Sequence, residues 1–228
     1  QAHVVPRVLQ GELNAVRPRL VILDFDGTIV ESLDIKTDAF RELFGCYTAA
    51  LDRIMAYHLA HNGISRQIKF RLIYEHILGV PYGPELQEAT ERRFSQLVFE
   101  RVVMCPLVAG ADAFLKRFAS HLPVYVVSAS PEAEVRQVVE ARGLGHHFRG
   151  AFGSPGTKLD HALRILSVEG ASPLATIYVG DSLEDYRVAC QLGVPFIGRR
   201  NKEDLHAVEG PVYPDLFGVV TEVAARLA

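Results

Sequence analysis

The chain has 228 residues, 49% hydrophobic and 22% charged, which excludes intrinsic disorder and is enough for one sizeable core with a smaller insertion. The formal net charge of −3 supplies no basic field, and no basic patch stands out, so nucleic acid and membranes are not expected partners. Cys46, Cys105 and Cys190 are scattered without C-x-x-C spacing; they form no disulfide framework and fit a reducing cytoplasm.

The sequence opens at Gln1 without a basic segment followed by a long apolar stretch, so a trimmed or engineered start and no export signal are expected. The apolar runs are strand-length, far below the roughly 20 residues of a membrane-spanning helix. The first run, residues 20–25, is continuous rather than alternating, as expected of a parallel strand buried on both faces. From 33 to 106 the strand signal gives way to helical periodicity, through Ile35, Ala39 and Leu43 and again through Ile68, Leu72 and Ile73. The turn-rich Gly79-Val80-Pro81-Tyr82-Gly83-Pro84 interrupts it, and one long helix is predicted over 85–104. Further strand runs at 124–128, 151–153, 176–180 and 194–197 alternate with helical patterns. The expected fold is therefore α/β, with a parallel-sheet core from 1–32 and 107–228 and a helical insertion from 33–106.

Four places carry chemistry. Asp24-Phe25-Asp26-Gly27-Thr28 follows the first strand run, where ligands of open α/β sheets bind. Asp-Gly is a common turn signal, but two carboxylates two residues apart repel unless a cation or shared proton relieves them, and a divalent metal is the natural relief. Gly180-Asp181-Ser182-Leu183-Glu184-Asp185 again follows an apolar run; acids there suit a helix N-terminus, and on a neighbouring strand they would converge with the first pair. Asp181 is the expected direct ligand. In Val126-Val127-Ser128-Ala129-Ser130-Pro131, Pro131 is expected to begin a helix and Ser130 to be its N-cap, leaving Ser128 to hold a phosphate oxygen. Lys158 opens a helical pattern and is either a solvated charge or a counter-charge for phosphate and carboxylate.

At these places the sequence resembles the haloacid dehalogenase superfamily, and within it the phosphoglycolate phosphatase-like members with a helical cap inserted after the first motif. The resemblance covers residues 20 to about 199. It implies a Rossmann-like core and a Mg2+-dependent phosphatase acting on a small phosphorylated metabolite, of the phosphoglycolate or sugar phosphate type. By this resemblance Asp24 attacks phosphorus, and Asp26 protonates the leaving oxygen and then activates water. Magnesium would be held by the Asp24 side chain, the Asp26 main-chain oxygen and Asp181. Asp185 and Ser182 would support them, with Asp185 orienting Lys158. Thr28, Ser128, Ala129 and Lys158 would surround the phosphate, and Arg66 and Lys69 would reach an anionic substrate from the cap. Relatives often have proline after the motif lysine, where this chain has Leu159, and Arg149 is the one nearby basic substitute for Lys158.

Alternatives remain within that resemblance. Asp26 argues against dehalogenation, which needs no proton for the leaving group. A phosphonatase would need a Schiff-base lysine, for which only Lys36 and Lys69 are available, neither in a strongly apolar setting. A sugar phosphomutase shares the acids, and an inactive binding module would be expected to lack one of them. His58, His61, His146 and His147 form no metal cluster and are expected on the surface or in the core; Phe40, Phe44, Phe94 and Phe99 are expected to pack in a core. A monomer or homodimer in the cytoplasm fits the whole.

Overall fold

In a computed structural model of the chain, the described residues are 16–61, 64–201 and 205–228. Residues 1–15, which fall in the first expected core segment, and Asn62 and Gly63 of the loop before Arg66 lie outside them. A parallel sheet of six strands has the order β3-β2-β1-β4-β5-β6. The strands are β1 (Leu20–Leu23), β2 (Val124–Pro131), β3 (Gly150–Ser154), β4 (Thr176–Gly180), β5 (Phe196–Arg199) and β6 (Val212–Tyr213). The fold class is as expected. β6, two residues long, was too short to stand out from the sequence, and β2 runs three residues past its expected end.

The alternation of strand side chains makes two apolar layers. Val21 and Leu23, with Val124, Val126, Ile177 and Val179, belong to one buried cluster; Leu20 and Ile22, with Tyr125, Val127 and Tyr178, belong to the other. The second layer is closed by α7 (Lys158–Glu169) and α8 (Leu183–Leu192). The first is covered by α5 (Ala111–Phe118), α6 (Glu132–Ala141) and α9 (Leu216–Leu227). Burial on both faces explains why these strands read as unbroken apolar runs.

Between β1 and β2 the chain forms α1 (Leu33–Leu43), α2 (Leu51–Ala60), α3 (Arg66–Leu72) and α4 (Pro84–Met104), with a π-helical turn at Ile73–Leu78 after α3. Pro84 suits the first turn of α4, where its missing N–H would be unpaired in any case. Phe40, Phe44, Phe70 and Phe94 are buried together, and the Phe40 and Phe94 rings meet edge-on at 5.0 Å. These side chains join the same apolar cluster as Val21 and Leu23. The chain leaves for the helices and returns from them side by side: Val30 and Leu107 form an antiparallel bridge, and Val108 N–H donates to Ile29 O at 2.9 Å.

Candidate active site

β1 lies between β2 and β4, so the chain turns outward in both directions from the end of β1 and leaves a crevice at the carboxyl ends of these strands. Asp24 directly follows β1 and Asp181 directly follows β4, while Ser128 to Pro131 form the end of β2. Lys158 begins α7 behind an N-cap from Thr157. Gly27 permits the first loop: its φ is +79°, and a Cβ there would collide with the Asp181 carboxylate.

The Lys158 ammonium bridges two carboxylates, donating to Asp24 Oδ1 at 2.8 Å and to Asp185 Oδ1 at 2.6 Å. All three groups are buried. Asp185 is fixed on its other oxygen by Ser182 Oγ at 2.5 Å, and the two residues form the capping box that starts α8. Tyr178 Oη adds a bond to Asp185 Oδ1 at 3.2 Å. Asp181 receives the side-chain amide of Asn201. Oxygens of Asp24, Asp181 and Asp185 all lie within 4.8 Å of one another.

Burial raises the Asp24 pKa to about 7, together with the charges of Asp185 and Asp26 and against the opposing Lys158. Burial and the charges of Asp24 and Asp185 push Asp181 well above the carboxylate range. Burial alone would lower Lys158, but Asp185 and Asp24 hold it well above the usual lysine value. Such a crowd of buried acids is the donor set that a hard divalent cation stabilises. The residues therefore fit magnesium: Asp24 and Asp181 present oxygens to one point, whereas both Asp185 oxygens are engaged by Lys158 and Ser182.

Asp26 stands in a different environment. Ser32 Oγ donates to its Oδ1 at 2.6 Å, and Ser130 Oγ and Ser128 Oγ donate to Oδ2 at 2.9 and 3.3 Å. Lys36 Nζ lies 2.5 Å from the same Oδ2. Burial would raise this carboxyl, but Lys36 and the hydroxyls of Ser32 and Ser130 hold it below its ordinary range. Ser130 is thus not the N-cap of α6. Pro131 occupies that position at the end of β2 and the helix begins at Glu132, so Ser130 turns its hydroxyl toward Asp26.

The helices supply the facing wall. A narrow cavity of about 60 Å³ is lined from the sheet by Asp24, Asp26, Ser128, Ala129, Ser130, Lys158, Asp181 and Ser182, and from the helices by Lys36, Phe40, His58, Ile64, Arg66, Lys69 and Phe94. Lys69 is 3% exposed, with its Nζ 3.5 Å from His58 Nδ1 and 5.6 Å from the centre of the Phe40 ring. The expectation that Lys69 lacks an apolar setting is corrected: packing of α3 against α1 and α2 encloses it. Arg66 is also buried, but its guanidinium grips Glu134 of α6 at 2.8 and 3.2 Å and Ser95 of α4 at 2.7 Å. Its two terminal nitrogens are directed to protein partners rather than across the cavity, while its buried Nε has no hydrogen-bond partner among the described residues.

Thr28 is fully buried and is absent from this lining; its Oγ1 has no hydrogen-bond partner in the described structure. Arg149 pairs with Glu169 and is 61% exposed, far from the place that Lys158 fills. Sequence reasoning missed Ser32 and Asn201, and named Lys36, Ser130 and His58 only in other roles, as a Schiff-base candidate, a helix cap and a surface or core residue. Ser130 carried a signal, since residues two apart on a strand share a face with Ser128. Lys36 and Asn201 carried none, because each meets its partner through tertiary packing.

A crevice at the switch point of a parallel sheet, an Asp-x-Asp loop, a buried Lys–Asp bridge and an inserted helical wall define a hydrolase of the haloacid dehalogenase-like class. The chain belongs to that family, the haloacid dehalogenase-like hydrolases, whose model matches residues 21–189. Phosphoglycolate phosphatase 1 of Pseudomonas aeruginosa is 27% identical over 78% of this chain and 67% of its own length. Among solved structures, a predicted phosphoglycolate phosphatase from Haemophilus somnus superposes with a TM-score of 0.73 at 17% identity, covering 90% of this chain and 97% of that one. The β-phosphoglucomutase of Clostridium difficile superposes with a TM-score of 0.71 at 17% identity, covering 90% of this chain and 96% of that one. These two likenesses establish a shared fold.

Proposed function

We propose that this enzyme hydrolyses a small phosphomonoester, of the phosphoglycolate or sugar phosphate type, through an aspartyl phosphate on Asp24, with Mg2+ as its cofactor and residues 33–106 as a cap over a cytoplasmic catalytic core. The observation that carries the reading is the pairing of two unlike carboxylates at one strand end. Asp24 is held by a buried lysine beside Asp181, and Asp26 is held by hydroxyls and Lys36 on the other side of the loop.

In this reading an Asp24 oxygen forms a bond to phosphorus as the ester P–O bond breaks, and Asp26, which takes up a proton once the charge of the bound phosphate offsets Lys36, gives that proton to the departing oxygen. Asp26 then takes a proton from water as that water attacks phosphorus, which frees inorganic phosphate and restores the Asp24 carboxylate. Lys158 and the Ser128 hydroxyl offset and orient the phosphoryl oxygens, while Asp185 keeps Lys158 aimed at Asp24. Asp24, Asp181 and the Asp26 main-chain oxygen would hold the magnesium, whose charge supplies relief of the repulsion between carboxylate and phosphate. The narrow cavity favours a small substrate, and the phosphatase relative in Pseudomonas aeruginosa supports the same reaction class.

The test is phosphate release from a panel of phosphorylated metabolites, with and without Mg2+, by the wild type and Asp24→Asn. Release that needs magnesium and disappears in the variant supports the reading and ranks substrates. Interconversion of hexose phosphates without net release would transfer the assignment to a mutase, a reaction hosted by the same fold in the Clostridium difficile protein.

A further inference from the structure

We propose that Lys36 is a positioning residue for Asp26, holding that carboxylate in place only while the helical segment is seated against the sheet. The inference rests on the phosphatase reading above. Lys36 and Ser130 share the outer side of Asp26: Lys36 Nζ lies 2.5 Å from Oδ2 and donates to Ser130 Oγ at 2.6 Å, and Ser130 Oγ donates onward to Oδ2 at 2.9 Å. Ser32 closes the other oxygen at 2.6 Å. A carboxylate held on both oxygens by charge-assisted and hydroxyl bonds has one orientation available to it.

The origin of these partners makes the arrangement conditional. Ser130 belongs to β2 and stays with the sheet, whereas Lys36 rides on α1, one turn beyond Ser32, and α1 packs chiefly on α4 and α2. Movement of the helices away from the sheet would carry Lys36 off and leave Asp26 to Ser32 and the β2 hydroxyls. The Lys36 side chain is 18% exposed, so its ammonium has surrendered most of its hydration, and Asp26 is the counter-charge that offsets the loss. Sequence separation hides the device: Lys36 and Ser130 are 94 residues apart.

The experiment compares wild type, Lys36→Met and Lys36→Arg on two substrates: the alkyl phosphomonoester ranked first by the panel, whose leaving oxygen needs a proton, and p-nitrophenyl phosphate, whose phenolate departs without one. A mispositioned acid predicts that Lys36→Met lowers kcat/KM, which reports phosphoryl transfer to Asp24 and not the hydrolysis step both esters share, by about 10- to 100-fold more on the alkyl ester than on p-nitrophenyl phosphate, with KM changed by less than about threefold. Lys36→Arg should recover part of the lost ratio. Ser130→Ala, which removes the shared hydroxyl, should shift the ratio in the same direction. Equal losses of kcat/KM on both substrates, or a rise in KM with kcat intact, would overturn the inference, the first by marking a structural role and the second a direct substrate contact. A wild type inert on both esters would instead bring down the phosphatase reading, and this inference with it.

Discussion

Lys158 and Lys36 divide the labour of charge at one strand end. Each is a cation brought to a carboxylate of the Asp-x-Asp loop, but Lys158 is locked between Asp24 and Asp185, while Lys36 shares Asp26 with hydroxyls. His58 stands beside Lys69 and within the field of Lys36 as a neutral ring. It is 4% exposed, stacks on Phe40 at 4.0 Å and accepts or donates to Thr37 Oγ1 at 3.2 Å. Burial, followed by the charges of Lys69 and Lys36, depresses its pKa from 6.5 to about 3. A histidine depressed in the folded state leaves stability intact above pH 6.5 and erodes it as the pH falls toward 3, because only the unfolded chain takes up the proton. At about 1.4 kcal/mol per unit, His58→Gln should lose about 2 kcal/mol less stability than the wild type between pH 7.5 and 5. Urea unfolding at the two pH values measures this; equal losses in the two proteins would remove His58 from the acid response.

At the scale of elements, the contact between the helices and the sheet domain is polar as well as apolar. Arg66 of α3, Ser95 of α4 and Glu134 of α6 form one network, with Ser95 Oγ donating to Glu134 Oε2 at 3.0 Å. The Arg66 and Glu134 side chains are 9% and 13% exposed, so each ion relies on the other for the solvation it has lost. A double-mutant cycle with Arg66→Ala and Glu134→Gln, read by urea unfolding, should give a coupling of about 1–3 kcal/mol. Additive effects would show that the two groups contribute separately. The glycine of the Asp-x-Asp loop belongs to this scale too: its positive φ turns the chain away from β1 toward α1 while leaving the space that Asp181 occupies.

For the whole molecule, one apolar cluster runs from the inner sheet face, through Phe25 and Ile29, into Phe40, Phe44, Phe70 and Phe94 of the helical segment. Two units that bury surface in common gain little by unfolding separately. Urea transitions followed by far-UV circular dichroism and by tyrosine fluorescence should therefore coincide. Tyr47, Tyr57, Tyr74 and Tyr82 report the helical segment and Tyr125, Tyr178, Tyr186 and Tyr213 the sheet domain, so a fluorescence change split into two transitions would show that the helical segment unfolds as an independent domain. No described helix is long and apolar enough to cross a membrane.

The sequence by itself determined the parallel α/β plan and the residues of the crevice floor. Strands buried on both faces must be apolar throughout, and a site at strand ends places Asp24, Ser128 and Asp181 immediately after such runs. It also located the helical segment, because a 3.6-residue period replaces continuous strands there. Only the tertiary structure decided the partners of those residues. Lys36 and Lys69 stand in the sequence only as candidate cations of the helical segment, and their burial and partners are set when the helices pack. Arg66 acquires Glu134 from 68 residues away, Ser130 exchanges a capping role for Asp26, and Thr28 is withdrawn into the interior. Local periodicity records which face of an element is buried; which charge waits on the opposite wall is set by how the walls meet.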